Sequence, residues 1–254
     1  MELGVQFYTL RDQCKTLSEF SESLKRVADI GYRTVQISGV CTYEPQWLKE
    51  QLAVNGLRCV ITHKPIDDIA DATQRLMDEH RIYGCPHIGI GAGPELLKGE
   101  DNMQWMLDVA HTAGRVLHDN GFQLMYHHHS PEFTRDCPNE MTRLEYLAAN
   151  TTAEELGFTL DTYWVQAGGA SFSELAQRLS GRIPCVHLKD RVMDEWEQHM
   201  APVGSGNLDW EAILSVLETT GTDYALVEQD LTYDENPFAC LKKSYDYLTA
   251  LGLK

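Results

Sequence analysis

The chain has 254 residues, 43% of them hydrophobic, which is enough to bury the core of one large domain or two small ones and excludes disorder and collagen-like repeats. Lysine and arginine number 21 against 38 aspartate and glutamate, and the resulting formal charge of −17 opposes a nucleic-acid partner. No run approaches the roughly 18 apolar residues of a membrane span, and Met1-Glu2-Leu3-Gly4-Val5 lacks the basic and apolar blocks of a secretory leader, so no membrane and a cytoplasmic location are expected.

In chain order, the apolar run 3–8 reads as a strand, and Leu17, Phe20, Leu24, Val27 and Ile30, spaced by three and four, read as the stripe of a helix. The same alternation continues with strands 34–38, 58–62, 87–90, 123–127, 158–161, 185–188 and 225–228. Between and after them, helices are predicted at 44–54, 66–81, around Met106, Val109, Ala113, Val116 and Leu117, and at 140–149, 171–179, 209–218 and 237–251. Most strands follow a glycine or proline turn, such as Asn55-Gly56-Leu57 or Gly84-Cys85-Pro86, the usual signal of a helix-to-strand joint. Eight strand–helix alternations in this length predict a single α/β domain, a (β/α)8 TIM barrel over residues 1–254. An open doubly wound sheet would more often carry a glycine-rich phosphate loop after its first strand, where this chain has Tyr8-Thr9-Leu10-Arg11-Asp12.

Residues 91–94 read as a flexible loop without the lysine of a P-loop, and 191–206, lacking a clear period, as a lid near the site. The seven cysteines are scattered, odd in number and never in a C-x-x-C pair, so free thiols in a reducing compartment are expected. Of assembly the sequence says little: a homo-oligomer is compatible with it, and Trp105 and Trp196 are aromatic residues that would mark an interface.

In a parallel barrel the active-site groups end the strands. The polar residues there are Gln6 and Tyr8, then Gln36, then His63 and Lys64, then His127-His128-His129-Ser130-Pro131-Glu132, then Asp161, then His187, Lys189 and Asp190, and finally Glu228 and Asp230. The last four strands thus offer imidazole, carboxylate, imidazole and carboxylate at equivalent heights, a set suited to one divalent manganese, cobalt, zinc or iron ion. With Gln123, Met125 and His127 facing inward, period two puts His127 and His129 on one face and turns His128 away. His127 is therefore assigned as ligand and His129 to the cleft.

The strings Gly4-Val5-Gln6-Phe7-Tyr8-Thr9-Leu10-Arg11-Asp12, Tyr126-His127-His128-His129-Ser130-Pro131-Glu132-Phe133, Leu160-Asp161-Thr162-Tyr163-Trp164, His187-Leu188-Lys189-Asp190 and Val227-Glu228-Gln229-Asp230 resemble, in order, the sugar phosphate isomerase/epimerase family of xylose isomerase-like barrels. The resemblance implies a metal held by His127, Asp161, His187 and Glu228. It also marks a departure: the epimerases of that superfamily place a metal-bound glutamate six residues after the glycine opening strand five, where this chain has His127, so Glu132 becomes the alternative second carboxylate. The family's Val-Gly-Glu-Gly loop reads Val203-Gly204-Ser205-Gly206 here.

The expected function is isomerisation or epimerisation of a sugar, sugar phosphate or cyclitol carbonyl compound through an enediolate, with Glu228, His127 and Glu132 as catalytic candidates. Gln6, Tyr8, His63, His129, Trp164, Lys189 and Arg191 are the candidates for binding substrate. The alternative is a lyase or dehydratase acting on a keto-sugar or keto-cyclitol, and a third reading is a non-catalytic sugar-binding protein.

Overall fold

The computed structural model describes residues 1–91 and 93–254. Its strands in chain order are β1 (Glu2–Gln6), β2 (Thr34–Ile37), β3 (Arg58–Lys64), β4 (His87–Ile90), β5 (Gln123–His127), β6 (Gly157–Asp161), β7 (Cys185–Leu188), β8 (Asp190–Asp194), β9 (Glu197–Ala201) and β10 (Tyr224–Val227). All but β8 and β9 close into one parallel barrel in the order β1-β10-β7-β6-β5-β4-β3-β2. The helices are α1 (Leu17–Ile30), α2 (Pro45–Asn55), α3 (Ile66–Asp71), α4 (Thr73–Tyr83), α5 (Glu100–Val109), α6 (Arg115–Asp119), α7 (Arg143–Ala149), α8 (Thr162–Ala167), α9 (Phe172–Arg178), α10 (Trp210–Leu217) and α11 (Pro237–Ala250). Among the described residues, no helix is long and apolar enough to cross a membrane.

The predicted single (β/α)8 barrel is therefore the fold, and local chemistry sets its joints. The Thr16 hydroxyl accepts from the Glu19 backbone N–H while the Glu19 carboxylate accepts from that of Thr16, a capping box that starts α1. Thr142 and Glu145 repeat the device at α7, so that helix begins at Arg143 rather than at residue 140. Gly84 ends α4 with φ of 71°, a left-handed turn that glycine adopts without strain. Val60, Ile61, Met125, Cys185 and Leu226 form one apolar cluster, apart from the larger one that includes Leu24 and Val27 of α1.

The structure departs from expectation at five places. β1 stops at Gln6, because the Gln6 side chain accepts from the Tyr8 N–H and turns Phe7–Gln13 into a 3-10 helix. The segment 66–81 is two helices, broken where Ala72 leaves helical backbone at φ −131° and ψ 30°. The helix expected around 106–117 widens into a π turn over Ala110–Gly114. α8 follows Asp161 at once, in a short segment whose Thr162 and Val165 obscure the helical signal. The region read as a lid without period holds an antiparallel hairpin, β8 with β9. The loop expected at 91–94 includes residue 92, outside the described residues.

The hairpin is rooted by Asp190. Its carboxylate is fully buried and accepts from the backbone N–H groups of Arg191 (2.8 Å), Gly204 (2.9 Å), Gly206 (3.0 Å) and Leu208 (3.3 Å) and from the Trp210 indole (2.8 Å). A Cβ at Gly206 would lie 2.2 Å from the Arg191 carbonyl oxygen, so only glycine fits this turn. Asp190→Ala orphans these donors and is expected to lower the unfolding free energy by about 3 kcal/mol, measured by urea denaturation. A loss within 0.5 kcal/mol of wild type would show that water replaces the carboxylate at little cost.

His80, fully buried between α4 and β3, bonds Thr62 Oγ1 (2.8 Å) and the Leu76 carbonyl (2.7 Å). Burial pushes its imidazole from 6.5 down to about 3. The unfolded chain then takes up a proton below pH 6.5 that the folded chain refuses until about pH 3, so this stability is present above pH 6.5 and lost as pH falls. Between pH 7 and pH 5 the loss is about 2 kcal/mol. His80→Gln is expected to flatten the pH dependence of urea stability by that amount, and an unchanged slope would refute a neutral His80.

Candidate metal centre and cleft

The strand ends meet at one polar cleft of about 340 Å³, lined by Gln6, Tyr8, Ser38, His63, Gly91, Gly93, His127, His129, Lys189, Glu228 and Asp230. At its base one nitrogen or oxygen from each of His127, Asp161, His187 and Glu228 lies within 4.8 Å of the others, and all four residues are buried. They come from the ends of β5, β6 and β7 and from the position just after β10, strands that are consecutive in the barrel.

The separations are 3.5 Å for His127 Nε2 to Asp161 Oδ2, 3.8 Å for His187 Nδ1 to Asp161 Oδ2 and 3.0 Å for His187 Nδ1 to Glu228 Oε2. These same atoms are buried, close and without a partner of hydrogen-bond geometry, while the Lys189 ammonium stands within ion-pair range of Asp161 Oδ2 and Glu228 Oε2. Two imidazole nitrogens and two carboxylate oxygens aimed at one buried point could hold a metal ion. The residues therefore fit a divalent ion.

Local folding aims each ligand. Asp161 caps α8 through Oδ1, which accepts from the Trp164 N–H at 2.9 Å, and so leaves Oδ2 for the cluster. His187 Nε2 is 2.7 Å from Gln36 Oε1; since a carboxamide oxygen only accepts, Nε2 carries the proton and Nδ1 presents its lone pair. His128 Nε2 accepts from the Asp161 backbone N–H at 3.1 Å and ties the end of β5 to β6. Alternation along β5 thus places His127 in the cluster and His129 in the cleft, and sets His128 outside the cleft lining.

Lys189, 1% exposed, lies 3.2 Å from Asp161, 2.8 Å from Glu228 and 3.1 Å from Asp230. Burial alone would raise the Asp161 and Glu228 carboxyls, but the Lys189 ammonium and the imidazoles outweigh it and hold both well below the usual carboxylate range. Burial and the Glu228 charge instead push Asp230 up to about 6. Burial would lower His187, yet Glu228 and Asp161 bring it up to about 9, so a proton there answers the same negative charge that a metal ion would. Burial holds His127 well below 6.5 and pushes His63 down to about 3, leaving both neutral.

Among the expected substrate contacts, Gln6, Tyr8, His63, His129 and Lys189 line the cleft. Trp164 stands behind them, edge-on to His129 at 5.4 Å, with the Lys189 ammonium 5.3 Å from its ring centre. Arg191 lies on the hairpin with Nη2 3.7 Å from Met193 Sδ, outside the cleft lining. Glu132 is fully buried and also outside it. Its Oε1 accepts from the Tyr126 hydroxyl at 3.0 Å and is 3.8 Å from His129 Nδ1, so it faces the cleft only through that imidazole. Gln36, Ser38, Tyr126 and Asp230 were not among the predicted site residues; Gln36 and Asp230 end strands in sequence, but their partners lie 151 and 41 residues away.

The family model described as xylose isomerase-like TIM barrel matches residues 24–250. Inosose dehydratase from Geobacillus thermodenitrificans is 20% identical, and that from Clostridium beijerinckii 23%, each over 90% of this chain and 88% of the other. A solved sugar phosphate isomerase/epimerase from Parabacteroides distasonis superposes with a TM-score of 0.83 at 22% identity, covering 99% of this chain and 94% of that one.

Gln36→Leu is expected to weaken Mn2+ binding by roughly 10–100-fold, with Gln36→Glu restoring it, as read by competition with a fluorescent chelator. Equal affinity in Gln36→Leu would dismiss the role of Gln36 in orienting His187.

Proposed function

The chain belongs to the xylose isomerase-like TIM barrel family, and on that premise we propose that it is a divalent-metal-dependent isomerase or epimerase of a sugar, sugar phosphate or cyclitol carbonyl compound, acting through an enediolate. The observation that carries the reading is the convergence of four buried imidazole and carboxylate atoms beside a polar cleft. His127, Asp161, His187 and Glu228 would hold the ion, whose identity among manganese, cobalt, zinc and iron is left open. When bound, such an ion supplies Lewis-acid polarisation of a carbonyl and its neighbouring hydroxyl.

The protein's own groups do the rest. Glu228, ionised and facing the cleft, takes the proton from the carbon beside the carbonyl. His129, backed by the Glu132 carboxylate that Tyr126 holds, is the second proton-handling group. Gln6 Nε2 and His63 Nε2, on the cleft wall, are buried and unpartnered, and they serve to bind and orient substrate hydroxyls. Lys189 keeps Asp161, Glu228 and Asp230 ionised. His127 stands where the epimerases of the resemblance have a second glutamate, and this favours a second reading.

In that reading Glu228 removes the same proton, the substrate's C–O bond at the β carbon breaks, a C=C bond forms, and water or an alcohol leaves. Both readings take a small sugar or cyclitol as partner and place the chain, with its seven free cysteines, in the reducing cytoplasm.

Glu228→Gln is expected to lower turnover on a panel of keto-sugars and keto-cyclitols by about 10²–10⁴-fold, measured under excess Mn2+ that offsets the weakened ligation. Deuterium incorporation from D2O without loss of water marks the isomerase, and an unsaturated product the dehydratase. Full activity in Glu228→Gln would sink both, and ligand binding by metal-free protein without turnover would make it a binding protein.

A further inference from the structure

We propose that the cleft selects an unphosphorylated, electrically neutral substrate; this rests on the proposed sugar chemistry and narrows it. Among the described residues the only cation lining the cleft is Lys189, and its ammonium already touches Asp161, Glu228 and Asp230. With a divalent ion bound, the three carboxylates are balanced by that ion and the ammonium. A phosphate would bring close to two negative charges into the site with nothing left to compensate them.

The cations of the surrounding segments, Arg11, Lys64 and Arg191, stand outside the cleft lining. Arg11 lies on the Tyr8 ring, 4.5 Å from its centre, and donates to the Tyr8 carbonyl at 2.9 Å. Lys64 is 3.6 Å from Glu79, and the Arg191 guanidinium is turned to Met193.

The backbone tells the same story. TIM barrels often bind phosphate with N–H groups of the loops that follow the last two strands. Here the segment following the hairpin directs the N–H groups of Gly204, Gly206 and Leu208 at the carboxylate of Asp190, an anion of the protein's own that fills the nest. At the end of the last barrel strand, the Gln229 N–H is taken by Thr9 Oγ1 at 3.0 Å. What remains open is a set of separate polar groups on the cleft wall, Gln6 Nε2 and His63 Nε2, with the Asp230 carboxylate beside them. Hydroxyls, which both donate and accept, match such a set one by one.

The test is calorimetric titration of the Mn2+-loaded protein with matched pairs, D-fructose and its 6-phosphate, D-tagatose and its 6-phosphate, and D-ribulose and its 5-phosphate, together with a free keto-cyclitol. At least one free ketose, or the keto-cyclitol, is expected to bind about tenfold or more tighter than any phosphate ester, and Asp230→Asn to narrow that gap. Phosphate esters binding as well or better would overturn this inference and leave the sugar reading intact. A gap unchanged by Asp230→Asn would overturn its electrostatic cause. Binding by none of the compounds would overturn the sugar reading and this inference together.

Discussion

The mouth of the barrel is governed by charge compensation. Asp161 and Glu228 are buried, and a buried carboxylate without a partner would give up its charge instead. Lys189 and the imidazoles keep them ionised, with Asp230 as a third, partly exposed member. The arrangement leaves one point, between His127, Asp161, His187 and Glu228, where positive charge is still wanted. The proposed metal binding, proton abstraction and exclusion of further anions would all follow from this one balance.

The barrel makes the balance affordable by giving each group a second, structural bond. Asp161 spends one oxygen on the start of α8, and His187 one nitrogen on Gln36. Glu132 is pinned by Tyr126 behind His129. Because these bonds restrict rotamers, the protein alone holds the four cluster atoms within 4.8 Å of one another. Asp190 does for the neighbouring loop what Lys189 does for the cluster, using an internal charge to order backbone that would otherwise be free to bind an outside one.

Much of this was legible in the chain. Short, near-continuous apolar runs separated by helical stripes are the direct signature of buried parallel strands with crossovers, so strands such as 87–90, 123–127 and 185–188 were read to the residue. The four ligands were legible because a closed barrel places every strand end at the same height; it is enough to know where each strand stops. The misreadings cluster where side chains act on the backbone locally. Gln6 curtails β1, Asp161 nucleates α8, and Asp190 gathers a segment with no period into an ordered turn. Hydrophobic periodicity carries no trace of such bonds.

The sequence by itself determined the barrel, its strand ends and the identity of the residues that converge there, since these follow from short-range patterns and one closure rule. Only the tertiary structure decided which atom of each residue is free. Gln36 and His187 are 151 positions apart, and their bond decides which imidazole nitrogen faces the cluster; Lys189 and Asp230 are 41 apart, and their contact pairs the buried ammonium with a third carboxylate. Pairings at that range are set by how strands lie beside one another, and partner choice among buried charges depends on distances that no spacing in the chain encodes.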